Sequence, residues 1–173
     1  RRAPSLCFAP LSLSLSSLTA AVCPLSLSLS LLLLAVASCV GDGRNLLLAT
    51  DVLGFACAIG VENNPLLVWA SRLRARWAGH AERIAIHRDD LLDGALPQPP
   101  SPIVIYLYLS SYVMSGLAPR LECAYGSRRA LVLSRDFEVP GWGPPDHRLE
   151  RGRTVLRAYR VPQPRAHLCG GAD

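Results

Sequence analysis

Glycines and acidic residues recur at three turns, each of which follows an apolar run. In the first turn, VGDGRN, Gly41 and Gly43 let the backbone approach a ligand, and the helix predicted after it offers N–H groups to an anion. Glu62 ends the next run, where a carboxylate can accept both hydroxyls of a ribose. Asp90 and Leu91 follow the third run and could bind and cover an adenine ring. Each turn alone also fits an ordinary glycine turn or a solvated carboxylate, but together they indicate an adenosine-containing ligand.

Several other ligands and reactions are disfavoured by the residue types that are missing. A dinucleotide-binding turn needs a third glycine, and Leu46 stands at that position. A P-loop needs Lys, and all 18 residues of the Lys+Arg count are Arg. The six Cys form no C-x-x-C pair and have no His at metal-ligand spacing, so we expect no metal site. His87 and His147 have no adjacent nucleophile, which disfavours a hydrolytic triad.

These turns need strands and helices to position them, and the chain from Gly41 onward alternates between the two. Predicted strands are FACAIGVE, RIAIH, a fully buried IVIYLYL, and RALVLSRDF; predicted helices are NLLLATDVLG, residues 65–78, and SGLAPRLECAYG. HRLE and TVLRAYRV flank Arg151-Gly152, which predicts a C-terminal antiparallel hairpin. The alternation predicts an α/β fold, with a Rossmann-like, doubly wound, mostly parallel sheet.

The helix after Glu62 has the clearest boundaries. Asn64 is a candidate N-cap, Pro65 suits the first helical position, and Gly79 stands just past the end. Its apolar residues share one face at helical spacing, which predicts the packed side of the helix; they are Leu66, Ala70, Leu73 and Trp77. The three arginines of the helix, Arg72, Arg74 and Arg76, are expected on a solvated face.

The first 34 residues form a low-complexity segment rich in Ser and Leu, without acidic residues. Three interpretations stay open: a targeting or membrane segment, an artefact of an incomplete gene model, or ordinary folded structure. The Ser-Leu repeat is what a TC dinucleotide repeat encodes, and the chain begins with Arg rather than Met. We therefore divide the chain into a leader over residues 1–34, a catalytic-type domain over 35–163 and a tail over 164–173.

Composition limits the classes of protein that fit. The chain has 173 residues, 50% of them hydrophobic, and a mean hydropathy of +0.26, enough for one domain with a buried core. The net charge of +5 comes from scattered Arg, so we expect no nucleic-acid binding. Cys57 lies in an apolar run, where a buried free thiol is expected, and this favours a reducing compartment.

The ordered blocks resemble class I S-adenosylmethionine-dependent methyltransferases. The blocks are VGDGRN, GVENNPLLVWASRLRARWAG, DLLD, IVIYLYL and SRDFEVPGW, and the resemblance covers roughly Gly41 to Val161. They are most similar to the group that includes the ATP synthase c-subunit lysine methyltransferase and its bacterial relatives. The resemblance implies S-adenosylmethionine as the cofactor and assigns it Gly41, Asp42, Gly43, Glu62, Asn63, Asp90, Leu91 and Tyr106.

The acceptor is predicted from different residues. No [DN]-P-P-[YF] block follows IVIYLYL, which disfavours amino-directed methylation of nucleic acids. The resemblance instead implies N-methylation of a protein lysine. Tyr108 and Asp136 are the candidate catalytic residues, and Tyr106 and Trp142 are further candidates for lining the acceptor site. Each of these also fits a purely packing role.

Two departures from the family pattern predict weaker cofactor binding. Ala37 stands where the family has an acidic residue, and Cys39 stands where it has the first glycine of the turn. The chain is therefore expected to be a truncated, impaired enzyme. The alternatives are a membrane-anchored or exported binding protein with a vestigial nucleotide site, and an adenosine binder without catalysis. We expect a monomer with a protein substrate, in mitochondria or cytoplasm, with residues 1–40 as the candidate membrane contact.

Overall fold

The protein is built around a seven-stranded sheet in the part of the chain that its computed structural model describes. That part comprises residues 40–99, 102–165 and 169, with the backbone of residues 34–38. The strands are β1 (Leu34–Ser38), β2 (Cys57–Glu62), β3 (Ile84–Arg88), β4 (Ile103–Leu107), β5 (Ala130–Arg135), β6 (His147–Arg151) and β7 (Thr154–Arg160). Their spatial order is β3-β2-β1-β4-β5-β7-β6. The first five are parallel and the β6–β7 hairpin is antiparallel, as predicted.

Three helices connect the parallel strands: α1 (Arg44–Asp51), α2 (Pro65–Trp77) and α3 (Ser111–Tyr125). Helix α2 begins as the sequence predicts, because the Asn64 side chain accepts a hydrogen bond from the Leu66 N–H at 3.0 Å. Helix α3 begins at Ser111, four residues before the predicted start at Ser115.

The helices lie on both faces of the sheet. One core joins α1 and α2 to β2 and β3 through Leu46, Val68 and Ile86. The other core joins α3 to β4 and β5, with Ile105, Leu121, Val132 and eleven further buried residues. Strand β4 alternates between buried and half-buried residues and ends at Leu107, with Tyr108 exposed beyond it, so the prediction of a fully buried IVIYLYL strand was wrong.

Helix α2 packs through a different face from the one predicted. Its buried residues are Val68, Ser71 and Ala75, while Leu66 and Trp77 are exposed. The reason is steric: a Cβ added to Gly43 would lie 2.8 Å from the Cβ of Ser71, so only a small side chain fits between α2 and this turn.

Arg72 and Arg76 of α2 are exposed, in line with the predicted solvated face, but two of the three arginines also bind neighbouring backbone. Both Nε and Nη2 of Arg72 donate to the Ile86 carbonyl, at 3.1 and 2.7 Å. The guanidinium of Arg74 donates to the Asp42 carbonyl and pairs with its carboxylate. Two of the three arginines therefore fasten α2 to its neighbours.

Disulfides are present where the sequence predicted a free thiol. Cys57 is disulfide-bonded, so the prediction of a free thiol was wrong. Cys57 therefore no longer supports a reducing compartment. A second disulfide joins Cys123 of α3 to Cys169. Next to it, Arg165 donates two hydrogen bonds to the buried Glu122 carboxylate, at 2.6 and 2.8 Å. The predicted leader, over residues 1–34, lies outside the described residues except for the backbone of Leu34.

Candidate cofactor site

The predicted ligand residues converge at one edge of the sheet because β1 to β5 are parallel. Ser38, at the end of β1, pairs with Val61 of β2 on one side and Leu107 of β4 on the other. The strand order reverses between β1 and β4, and ligands of open α/β sheets bind outside the carboxyl ends of the strands at such a point. The turn after β1, Glu62 and Tyr108 therefore lie at the same edge.

The glycine turn after β1 has two residues with left-handed backbone. Gly41 has φ 56° and Gly43 has φ 84°. Gly43 fits closely against α2, since a Cβ there would clash with Ser71. Gly41 is different, because no described atom beyond its own chain neighbours lies within 4 Å of where its Cβ would be. Gly41 therefore presents bare backbone to open space, as a turn that approaches a ligand must.

Glu62 braces this turn. Its Oε2 accepts a hydrogen bond from the Gly41 N–H and its Oε1 accepts one from the Asn64 N–H, both at 3.0 Å. The side chain is buried, and each carboxylate oxygen can accept more than one hydrogen bond. The carboxylate is thus held in place by backbone groups and keeps lone pairs that can accept ribose hydroxyls.

Asp42 points toward α2. Its Oδ2 pairs with Arg44 Nε at 2.8 Å and with Arg74 Nη1 at 2.7 Å. Partial burial acts to raise the pKa of this carboxyl, but the hydrogen bonds and charges of the two arginines outweigh it and lower the pKa. The Asp42 side chain therefore anchors the turn, and only its backbone is left to line a methionine moiety.

Asn63 and Asp90 lie together beyond the ends of β2 and β3. The Asn63 amide donates to Asp90 Oδ2 at 3.3 Å, and Asp90 Oδ1 accepts from the Leu92 N–H at 2.8 Å. Leu91 is half-buried against the core that contains α3. Asn63 and Asp90 are therefore placed together near Glu62 at this edge, and Leu91 follows them on the side of α3.

A tyrosine pair and an arginine occupy the neighbouring part of the edge, between β4 and β5. The Arg135 guanidinium lies 4.8 Å from the centre of the Tyr108 ring, within the range of a cation–π contact. A hydrogen bond to Tyr106 is the main cause that raises the pKa of Arg135. Sequence reasoning missed Arg135, although the parallel register, which pairs Leu107 with Ser134, places it opposite Tyr108.

Asp136 and Trp142, the other acceptor-site candidates, make structural contacts. Asp136 has φ 65°, donates its N–H to the Val155 carbonyl and accepts the Val155 N–H on Oδ1 at 2.9 Å. Trp142 packs edge-on against Tyr159 and donates its indole N–H to Glu122 at 2.8 Å. The structure thus brings Tyr106 and Tyr108 to the edge, ties Asp136 to the C-terminal hairpin, and packs Trp142 against β7.

The departures from the family pattern lie at the end of β1. Ala37 pairs with Gly60 of β2 and Tyr106 of β4, and Cys39 lies outside the described residues. Within the described part of the chain, no cluster of three or more His, Cys, Asp or Glu could hold a metal ion. Nor is any described helix long and apolar enough to cross a membrane.

Comparison with known proteins assigns the family. The model of the ANTKMT methyltransferase domain matches residues 39–146. The chain belongs to this family. It is 35% identical over 106 residues to the adenine nucleotide translocase lysine N-methyltransferase of Mus musculus, a match that covers 60% of this chain and 43% of the mouse protein. The chain thus spans less than half the length of that relative.

Solved structures agree on the fold. The chain is similar to an RNA methyltransferase from Salinibacter ruber in complex with S-adenosyl-L-homocysteine, with 26% identity, a TM-score of 0.65, and 75% of this chain and 80% of that one covered. It is also similar to the ribosomal protein L11 methylase from Lactobacillus delbrueckii subsp. bulgaricus, with 16% identity, a TM-score of 0.58, and 78% and 72% covered.

The predicted methyltransferase family and the Rossmann-like α/β fold are therefore confirmed. S-adenosylmethionine is the cofactor that the family and the Salinibacter complex indicate, in agreement with the prediction. The two structural relatives have different acceptors by name, RNA and a ribosomal protein, so the shared fold does not determine the acceptor.

Proposed function

We propose that this chain binds S-adenosylmethionine at the edge described above and transfers its methyl group to a lysine of a protein. The observation that carries the proposal is Glu62, whose buried carboxylate braces the Gly41 turn at the point where the strand order reverses. A lysine acceptor is supported by the mouse relative, whose name gives lysine N-methylation as its activity.

In this proposal the cofactor lies across the carboxyl ends of β1, β2 and β3. The Gly41 backbone and its open side accommodate the methionine part, Glu62 accepts the ribose hydroxyls, and Asn63, Asp90 and Leu91 contact the adenosine. Tyr106 lies on β4 beside the end of β1 and completes the site. These roles rest on the placement of the residues and on the family resemblance.

The bound cofactor would supply a sulfonium methyl group, which a nucleophile takes in a single displacement that breaks the S–CH3 bond and leaves S-adenosylhomocysteine. A lysine amine must lose its proton before it can attack, so alignment and a polar surrounding matter more than a strong base. Tyr108, exposed just past the end of β4, is the residue proposed to line the acceptor site, and Arg135 orients its ring. The proposed role of Asp136 is to position the end of β5 against the C-terminal hairpin, because its carboxylate accepts a hydrogen bond from the Val155 N–H.

The proposal is tested by titration calorimetry with S-adenosylmethionine and S-adenosylhomocysteine, with NAD as the control ligand. We expect binding of both adenosyl compounds and none of NAD. Glu62→Gln should weaken binding at least about tenfold, since it replaces an acceptor-only carboxylate with an amide. Glu82→Gln, an exposed glutamate before β3, is the matched control and should bind as the wild type. No binding by a folded sample would refute the proposal.

A transfer assay separates the enzyme from a binding protein. Methyl-labelled cofactor is incubated with the chain and mitochondrial or cytosolic protein extracts, and the labelled residue is identified by mass spectrometry. Label on lysine is expected, and its loss after Lys→Arg substitution in the labelled protein would confirm the acceptor. Binding without transfer would favour the non-catalytic alternative. Fractionation of cells tests the proposed mitochondrial or cytoplasmic location.

A further inference from the structure

The outer face of α2 is apolar, although it faces solvent. Leu66, Trp69, Leu73 and Trp77 follow one another at spacings of three and four residues, so they form one stripe. Three of them are largely exposed: Leu66 at 74%, Trp69 at 65% and Trp77 at 80%. Soluble monomers rarely expose a contiguous patch with two indole rings, and such patches mark interaction surfaces.

A second group of exposed apolar side chains lies on the other helix that covers this face of the sheet. Leu48, Val52 and Leu53, at the end of α1, are exposed at 50%, 70% and 60%. His80, just past the end of α2, contacts the Asp51 carboxylate at the end of α1, and both helices cover the same face of the sheet. The exposed sides of the two helices therefore face the same side of the molecule, and we call their exposed apolar residues the helix-pair surface.

The positive charges of α2 indicate which kind of partner the surface would bind. The helix contains three arginines and no acidic residue. Arg72 and Arg76 are exposed, while the charge of Arg74 is paired with Asp42. A second copy of the chain would bring these like charges together, which disfavours a symmetric dimer through this face. A partner that offers both negative charge and an apolar layer fits the surface best.

We propose that the helix-pair surface docks on an anionic lipid bilayer, with α2 lying in the plane of the interface. Trp and Leu would enter the region between headgroups and acyl chains, and Arg76 would contact the headgroups, while Arg72 stays hydrogen-bonded to the Ile86 carbonyl. A helix of 13 residues is about 20 Å long and would lie along the bilayer rather than cross it. This contact is separate from residues 1–40 and does not depend on the proposed methyl transfer.

The test uses the full chain and its own tryptophans. Of the three Trp, Trp69 and Trp77 lie on the helix-pair surface, while Trp142 packs against Tyr159. Vesicles of phosphatidylcholine and phosphatidylserine that contain brominated phosphatidylcholine quench indoles that enter the bilayer. We expect strong quenching with these vesicles, little with vesicles of phosphatidylcholine alone, and a loss of binding as salt is raised.

Variants separate this surface from any other membrane contact. Trp69→Ser with Trp77→Ser should lower the partition coefficient about tenfold or more and leave the Trp142 emission unquenched. Arg76→Gln should lower it about fivefold. Tyr112→Ser, at an exposed aromatic residue of α3 on the other face of the sheet, is the matched control and should bind as the wild type.

Three results would overturn the proposal. The chain could bind vesicles with its indoles unquenched, which would place the contact elsewhere in the chain. The double Trp variant, with an unchanged circular dichroism spectrum, could bind as well as the wild type. Finally, the chain could form a dimer in solution that the double Trp variant abolishes, which would assign the surface to a second copy.

Discussion

The two glycines of the turn after β1 should respond differently to the same substitution. In Gly43→Ala, the left-handed φ of 84° costs about 1–2 kcal/mol, and the new Cβ lies 2.8 Å from the Cβ of Ser71, which adds about 1–3 kcal/mol of overpacking. In Gly41→Ala, only the cost of a φ of 56° applies, because the space beside it is open. We expect Gly43→Ala to lower the free energy of unfolding by about 2–5 kcal/mol and Gly41→Ala by about 1–2 kcal/mol.

Relative to the stability that each variant loses, Gly41→Ala should weaken cofactor binding more than Gly43→Ala does. The methyl group of Gly41→Ala would occupy the side from which the proposed ligand approaches, so affinity should fall at least about tenfold while the protein stays folded. Urea unfolding followed by circular dichroism measures the first effect, and titration with S-adenosylhomocysteine measures the second.

A compensating substitution checks the steric argument. Ser71→Gly removes the side chain that the new methyl group would strike, so the double variant Gly43→Ala, Ser71→Gly should lose less stability than the sum of the single variants. If Gly43→Ala is no less stable than Gly41→Ala, or if the two changes add, α2 does not lie as close to the turn as described. The reasoning about the turn would then be wrong.

Three further predictions concern stability, measured as the free energy of unfolding. Burial, and after it the charge of Arg72, lowers the pKa of His87 in the folded chain. Below pH 6.5 the unfolded chain therefore binds a proton more readily than the folded chain, and the free energy of unfolding should fall as the pH drops. This fall should be less steep in His87→Gln. Arg83→Gln removes hydrogen bonds to three carbonyls near the end of α1 and should cost about 2–3 kcal/mol. Trp142→Phe keeps the ring but loses the hydrogen bond to Glu122, at a cost of about 1.5–3 kcal/mol.

Each of these predictions has a control. Gln replaces the exposed His147 in the pH series, and an equal slope in His87→Gln and wild type would contradict the assignment. Arg153→Gln, in the exposed hairpin turn, should leave stability within about 0.5 kcal/mol of the wild type. Trp77→Phe, on the exposed side of α2, should likewise be near neutral, and a Trp142→Phe variant as stable as wild type would contradict the contact with Glu122.

The order of strands and helices from α1 to β7 could be predicted from sequence because each of these elements has its own local signal, whereas β1 was not among the predicted strands. Apolar runs bounded by glycine or proline located β2, β3, β4 and β5, and the Asn64-Pro65 pair located the start of α2. Parallel strands bring their carboxyl ends together whatever their side chains are. For that reason the placement of Glu62 and Asp90 at one edge followed from the topology alone.

The packed face of α2 could not be predicted in the same way, because the helix has two stripes at helical spacing. The larger one contains Leu66 and Trp77, and the smaller one contains Ser71 and Ala75. Periodicity identifies both but does not say which faces the sheet. That choice depends on the distance between α2 and Gly43, a tertiary property that admits only small side chains.

Helix α2 and the turn after β1 are linked by hydrogen bonds and an ion pair. Arg74 holds the Asp42 carboxylate and carbonyl from one side of the helix, and Arg72 holds the Ile86 carbonyl from the other. A shift of the helix would therefore displace the backbone of this turn, which Glu62 also contacts through the Gly41 N–H. A contact on the outer face of α2 and a ligand at Gly41 would therefore act on the same unit, formed by α2 and the turn after β1. If a contact on that face and a ligand at Gly41 favour the same arrangement of the unit, thermodynamic linkage requires that each strengthen the other by the same factor.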